Sequence, residues 1–174
     1  MRKLVYGVAA SLDGFIAGPN GEYDWITPNS GIDFRAIYSK FDTLLMGRRT
    51  FEVASTRGDM LKGTGMRIVV ASTTLDPAHF PGTTVIGHAV AEAVRSLKEE
   101  AGKNIWLMGG GVLFRSLLDM GLVDAVEVSV FPVLLSSGTP FLPEGLRASL
   151  QLDACKALPS GVLMLSYSIS GLRE

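Results

Sequence analysis

Short apolar runs alternate with glycine turns and helical patterns along the whole chain. This alternation predicts an α/β domain with a mostly parallel central sheet, closed at one edge by an antiparallel C-terminal hairpin. Three observations carry the prediction. Residues 4–10, 43–46 and 105–108 are apolar at nearly every position, as strands buried on both faces are. The second and third of these runs pass straight into glycine and a helix start, Gly47-Arg48-Arg49-Thr50-Phe51 and Gly109-Gly110-Gly111-Val112. The tail holds two further strand runs, 150–156 and 161–169, separated by Leu158-Pro159-Ser160 near a turn.

Taken in order, residues 4–10 form an opening strand expected at the centre of the sheet. Residues 15–25 mix Gly18, Pro19, Asn20 and Gly21 with Phe15, Tyr23 and Trp25, which predicts a long ordered loop of the kind that carries function. Ile32, Phe34, Ile37 and Tyr38 fit a short helix capped near Ser30, with Asp33 in its first turn. Residues 59–65 read as a glycine-rich loop. The strand at 67–71 ends in Ser72-Thr73-Thr74, at the edge where open α/β sheets hold ligands. A weaker strand follows at 83–86. Residues 89–101 have Val90, Ala93, Val94 and Leu97 on one side and Glu92, Arg95, Lys98 and Glu99 on the other, an amphipathic helix ended by Gly102. Residues 125–130 alternate Glu127 and Ser129 against Val126, Val128 and Val130. That apolar, proline-marked edge, 126–135, is a candidate surface for pairing with a second copy.

Length and charge narrow the function classes. At 174 residues the chain fits a single domain, 1–174, that buries roughly 70% of its unfolded surface without disulfide or metal. A net charge of −1 and a pI near 6.1 supply no field for nucleic acid or an anionic membrane. The single cysteine, Cys155, rules out an internal disulfide and fits a reducing compartment. With no run of membrane-spanning length and no signal-like N-terminus, the expected location is cytoplasmic. His79 and His88 have no second ligand at metal-site spacing, so no metal is expected. The Gly-x-Ser-x-Gly elbow and the Gly-x4-Gly-Lys-Ser/Thr loop are both missing, and 109–114 lacks the third small residue of the dinucleotide fingerprint.

The strand–glycine–helix junctions remain. Glycines at 109–111 leave amide N–H groups bare at a helix N-terminus, where they and the helix dipole favour a phosphate. The plainer reading is a tight turn that packs a helix close to its strand. Gly47-Arg48-Arg49-Thr50 is the second such junction, with two guanidiniums and a hydroxyl where backbone donors converge. Together they suit a dinucleotide lying across the sheet edge with its nicotinamide near the first strand.

The order of these pieces resembles the dihydrofolate reductase superfamily. The motifs are Ser11-Leu12-Asp13-Gly14-Phe15-Ile16-Ala17 after the first strand, Trp25, Met46-Gly47-Arg48-Arg49-Thr50-Phe51, Val70-Ala71-Ser72, the three glycines, and the stretch 126–141. The first and last are most similar to the reductase domain of the bifunctional riboflavin-biosynthesis deaminase-reductase and its stand-alone relatives. The resemblance implies a three-layer dihydrofolate reductase-like fold and an NADPH-dependent oxidoreductase acting on a pyrimidine- or pterin-like ring. The activity it most resembles is 5-amino-6-(5-phosphoribosylamino)uracil reductase, with dihydrofolate reductase and a non-catalytic nucleotide-binding domain as alternatives.

Carried over by position, the resemblance assigns Gly47, Arg48, Arg49 and Thr50 to the cofactor phosphates, with Arg48 or Arg49 on the 2′-phosphate. It puts Ala71, Ser72 and Thr73 at the adenine ribose. Gly109, Gly110, Gly111 and Val112 lie under the pyrophosphate and nicotinamide ribose, the first two often joined by a cis peptide in the family. Ala9 and Ile16 flank the nicotinamide, and Trp25 covers the substrate side. Asp33 is the implied catalytic carboxylate, with Asp13 as its rival. Relatives in the family are often dimers, which implies a homodimer. The riboflavin-pathway reductases usually carry an acidic residue just after the glycines, where this chain has Gly111-Val112. Arg35, Lys40, Arg57 and Lys62 fall near the expected mouth of the cleft.

Overall fold

The computed structural model describes residues 1–56, 61–145 and 147–173. Arg57 and part of the 59–65 loop lie outside the described residues, as does the Lys62 side chain.

The strands are β1 (Leu4–Ser11), β2 (Phe15–Ala17), β3 (Phe41–Gly47), β4 (Arg67–Ala71), β5 (Thr83–Ile86), β6 (Asn104–Gly109), β7 (Ala125–Phe131), β8 (Thr139–Pro140), β9 (Arg147–Ala157) and β10 (Leu163–Arg173). The helices are α1 (Phe34–Tyr38), α2 (Arg48–Ser55), α3 (Val90–Glu99) and α4 (Gly111–Asp119). Eight strands form one sheet in the order β5-β4-β3-β6-β1-β7-β10-β9. The pairs from β5 through β7 are parallel, and β7–β10 and β10–β9 are antiparallel. The opening strand is central, as its apolar sequence requires, and the hairpin closes one edge.

Two cores sandwich the sheet. Alternation along the central strands sends Leu4, Tyr6, Leu45, Ile105 and Leu107 to one face, where Val94 and Leu97 of α3 and Phe114, Leu117 and Leu118 of α4 cover them. Tyr6 stacks on Phe114 with ring centroids 3.8 Å apart. The opposite face carries Val5, Leu44, Met46 and Val70 against Phe51 and Ala54 of α2, with Tyr38 and Trp106 alongside. Residues 105–107 thus contribute to both cores, which is why that run shows no polar alternation.

The N-terminal ends of the strands are held by two buried cations. Arg2, 6% exposed, donates to Thr43 Oγ1 at 2.7 Å, Lys103 O at 2.5 Å and Leu97 O at 3.3 Å, and pairs with Asp42. It joins the start of β3 to the carbonyl end of α3, where a cation also meets the helix dipole favourably. Lys98 pairs with Asp124 at 2.6 Å and donates to Leu122 O at 3.0 Å, while Asp124 accepts from the Leu4 amide at 2.7 Å.

Three expectations need correction. The helix after Trp25 begins at Phe34, so Asp33 is its N-cap rather than a first-turn residue, and Ser30 lies outside it. The aspartate oxygen accepts from Ala36 N at 2.9 Å and so satisfies an end amide of the helix. Residues 126–131 belong to β7, which is bonded to β1 on one side and β10 on the other, so they form no free edge. Among the described residues the sheet's edges are β5 and β9. The 15–25 loop also contains β2, which pairs with β8, a small two-stranded sheet that its sequence did not announce.

Candidate functional site

Two helix N-termini meet where the central strands end. Gly47 caps α2 and Gly110 caps α4, neither with a side-chain hydrogen bond, so the first-turn amides of both helices have no side-chain acceptor among the described residues. β3 and β6 are neighbours, and a Cβ at Gly47 would stand 3.8 Å from the Gly110 amide nitrogen. Thr50 closes over the same point, with its hydroxyl 3.3 Å from where a Cβ of Gly109 would be. Gly109 has φ +145 and the Gly109–Gly110 peptide is cis. A side chain at 109 would crowd Thr50 and strain a positive-φ backbone, so glycine keeps the backbone surface accessible there.

The arginines differ in their tethering. Arg48 donates to Thr74 Oγ1 at 2.6 Å and pairs with Glu52 at 3.1 Å, which leans it toward the end of β4. Arg49 is exposed and makes no ion pair among the described residues. Ala71 lies in register with Gly47, and Ser72 Oγ accepts from the Thr74 and Leu75 amides, shaping the turn that Arg48 grips. Thr73 is exposed beside it. These glycines, arginines and small hydroxyl residues therefore form one continuous rim along β4, β3 and β6.

On the α2 face of the sheet a cleft of about 780 Å³ opens beside this rim. Ala9 and Met108 line it, and Met108 directly precedes Gly109, so cleft and glycine turn share a boundary. Its walls include Tyr38 of α1, Trp106 of β6, Phe131 of β7 and Met164 of β10. The Trp106 indole occupies the space above Gly7, donating from Nε1 to Gly7 O at 2.8 Å. Its ring centroid lies 5.5 Å from Phe41 and 5.7 Å from Tyr38. Burial raises the Tyr38 phenol above its ordinary value, so it is a neutral donor at physiological pH. A large, mostly apolar cavity with a few polar groups is the form a flat organic ligand needs.

The remaining predicted positions are distributed around these two features. Asp33 lines the cleft, exposed and engaged in its cap. Trp25 packs edge-on to Phe131 at 5.5 Å and lines a smaller neighbouring cavity with Pro132, Ser160 and Val162, not the main cleft. Its Nε1 is buried with no hydrogen-bond partner among the described residues. Ile16 is half-buried on β2 and Val112 is 77% exposed at the start of α4. Asp13 accepts from Ser11 Oγ at 2.6 Å and from the Ser136 amide at 2.7 Å and the Leu135 amide at 3.1 Å. The Ser11 hydroxyl, then those amides, hold its carboxyl below its ordinary value. It ties the end of β1 to the loop after β7.

Lys40, expected only at the mouth of the cleft, lines it together with Gly7, Trp106 and Glu127, which no sequence motif marks as site residues. The alternation of Glu127 and Ser129 was the available signal: polar residues on one face of a central strand must face a cavity.

The family model for the RibD C-terminal domain matches residues 2–164. The chain belongs to the RibD C-terminal domain family. Within curated proteins it is 29% identical to the uncharacterized protein YyaP of Bacillus subtilis (strain 168), over 98% of this chain and 96% of that one. Among solved structures, a "Putative riboflavin biosynthesis protein" of Shewanella sp. PV-4 superposes with a TM-score of 0.83 at 25% identity, covering 98% of this chain and all (100%) of that one. Dihydrofolate reductase from Enterococcus faecalis, complexed with NADP(H), has a TM-score of 0.68 at 19% identity over 97% of both chains, a likeness of fold. Membership and fold together make this a domain of the dihydrofolate reductase-like, riboflavin-biosynthesis reductase type. No helix among the described residues is long and apolar enough to cross a membrane.

Proposed function

We propose that the protein is an NADPH-dependent reductase of a pyrimidine- or pterin-like ring, most like 5-amino-6-(5-phosphoribosylamino)uracil reductase. The observation that carries this reading is the junction of the two features: bare helix N-termini flanked by Arg48 and Arg49, opening at Ala9 and Met108 into an apolar cleft. The residues present fit a phosphorylated dinucleotide. Gly47, Gly110 and Gly111 leave amides available to a pyrophosphate, Thr50 adds a hydroxyl, and the guanidiniums match a phosphate in charge and shape. Bound there, the cofactor would supply hydride. The chain's part is to orient both partners and exclude water, with Ala9 keeping the first strand low beneath the ring. Asp33, at the cleft wall, is the carboxylate assigned to steering a proton to the ring.

The test is a titration with NADPH and NADH read by tryptophan fluorescence. Preferential NADPH binding is expected, and the R48A/R49A double variant should weaken NADPH far more than NADH. Equal losses would remove the arginines from the 2′-phosphate. D33N should abolish turnover while sparing cofactor affinity; unchanged turnover would remove Asp33 from the mechanism.

A further inference from the structure

One charged pair inside the cleft is not absorbed by this reading. Glu127 projects from β7 into the cavity, and Lys40, between α1 and β3, reaches it with Nζ 3.1 Å from each carboxylate oxygen. Two strands, β6 and β1, lie between β3 and β7 in the sheet order. The lysine therefore crosses the cleft to make the bond.

A stabilising role does not account for the pair. The Lys40 side chain is 49% exposed and that of Glu127 27%, and ion pairs of such exposure contribute little to stability. Glutamate is also a poor strand former, and this one occupies a central strand on the cavity face. Its cross-strand neighbours are small: Gly7 in register on β1 and Ser166 on β10. The Trp106 indole fills the space above Gly7 beside it, and the carboxylate keeps its opening toward the cavity.

Both groups have hydrogen-bonding capacity left over. An ammonium has three donors and a carboxylate about four acceptor sites, so the pair can accept a ligand without breaking. The other acids of the cleft are less suited: Asp33 is committed to the Ala36 amide and Asp24 is exposed on the loop. A carboxylate beside an ammonium matches a ring edge that presents an N–H or amino group next to a carbonyl. Glu127 would accept from the nitrogen and Lys40 would donate to the oxygen.

We propose that Glu127 and Lys40 together are the receptor for the lactam edge of the ring substrate and set its specificity. This rests on the reading that the cleft takes a flat heterocycle. It assigns binding to a β7 glutamate, leaving Asp33 the separate task of proton steering.

The test uses two pyrimidines as probes, 5,6-diaminouracil, which has the lactam edge, and 2,4,5,6-tetraaminopyrimidine, which lacks the carbonyl. Binding to the NADPH-saturated protein is followed by calorimetry, with NADPH affinity and melting temperature measured for every variant. E127Q, nearly isosteric, should lose roughly 10–100-fold in affinity for both probes, the loss expected of a charge-assisted hydrogen bond. K40M should lose about tenfold for diaminouracil and little for the tetraamine. E127D, which keeps the charge, should recover part of the loss. NADPH affinity should be unchanged throughout.

Wild-type affinity in E127Q, or equal loss of both probes in K40M, overturns the receptor while leaving the reductase reading intact. Failure of the folded wild-type protein to bind either pyrimidine in the presence of bound NADPH also overturns it. Glu127-dependent pyrimidine binding without any NADPH binding supports the receptor and removes the reductase reading instead.

Discussion

Substituting Gly7 with alanine isolates how the central sheet makes room for the cleft wall. Gly7 has ordinary strand backbone, so alanine brings no conformational penalty of the left-handed kind. The added methyl instead meets the Trp106 indole, with Cδ1 at 3.0 Å and Cε2 at 3.1 Å and Nε1 closer still. The indole cannot simply retreat, because Phe41 and Tyr38 pack on it and its Nε1 bonds to Gly7 O. Overpacking of this kind costs about 1–3 kcal/mol, and the lost hydrogen bond about 0.5–1.5 kcal/mol more. A total of about 2–4 kcal/mol corresponds to a fall in melting temperature of roughly 4–15 °C for a chain of this size. Urea unfolding measures the stability, and Trp106 emission in a W25F background reports the displaced indole. In a W106F background the same alanine should cost much less, since the clashing five-membered ring is gone; the difference is the coupling energy. A G7A protein as stable as its parent, with unaltered Trp106 emission, would refute the reasoning.

Two further outcomes concern parts of the fold outside the cleft. Asp13 has a depressed folded-state pKa, so the stability it contributes is full above its unfolded value, near 4, and is lost as pH falls through the folded value. The melting-temperature gap between the parent and D13N should therefore be constant above about pH 5 and shrink below it; a gap that widens on acidification contradicts the sign. K98M removes the donor shared by Asp124 and Leu122 O, and with the Asp124 side chain 34% exposed the expected loss is about 1–3 kcal/mol in urea unfolding. A stability gain in K98M would show that the ion pair is a net cost at this site.

Much of the architecture was legible because burial on both faces writes a continuous apolar run. Residues 4–10, 43–46 and 105–108 had that form, and they became the three adjacent central strands. The amphipathic period of 90–99 and the glycines at 47 and 109–111 marked the helix boundaries for equally local reasons. The rim of glycines and arginines was legible for the same reason, as each of its parts sits at a strand-to-helix junction visible in a few residues.

What the sequence by itself determined was thus the strand–glycine–helix order, the central place of β1 and the closing hairpin, all consequences of local periodicity and turn chemistry. Only the tertiary structure decided which groups meet across strands. Lys40 and Glu127 are 87 residues apart and join only because β3 and β7 flank β6 and β1 in the sheet. Trp106 becomes a cleft wall because Gly7, on the neighbouring strand, has no side chain. The edge at 126–135 was misplaced because an apolar strand looks the same from sequence whether or not another strand, here β10, pairs beside it. Strand neighbours are set by long-range pairing, and no local pattern encodes them.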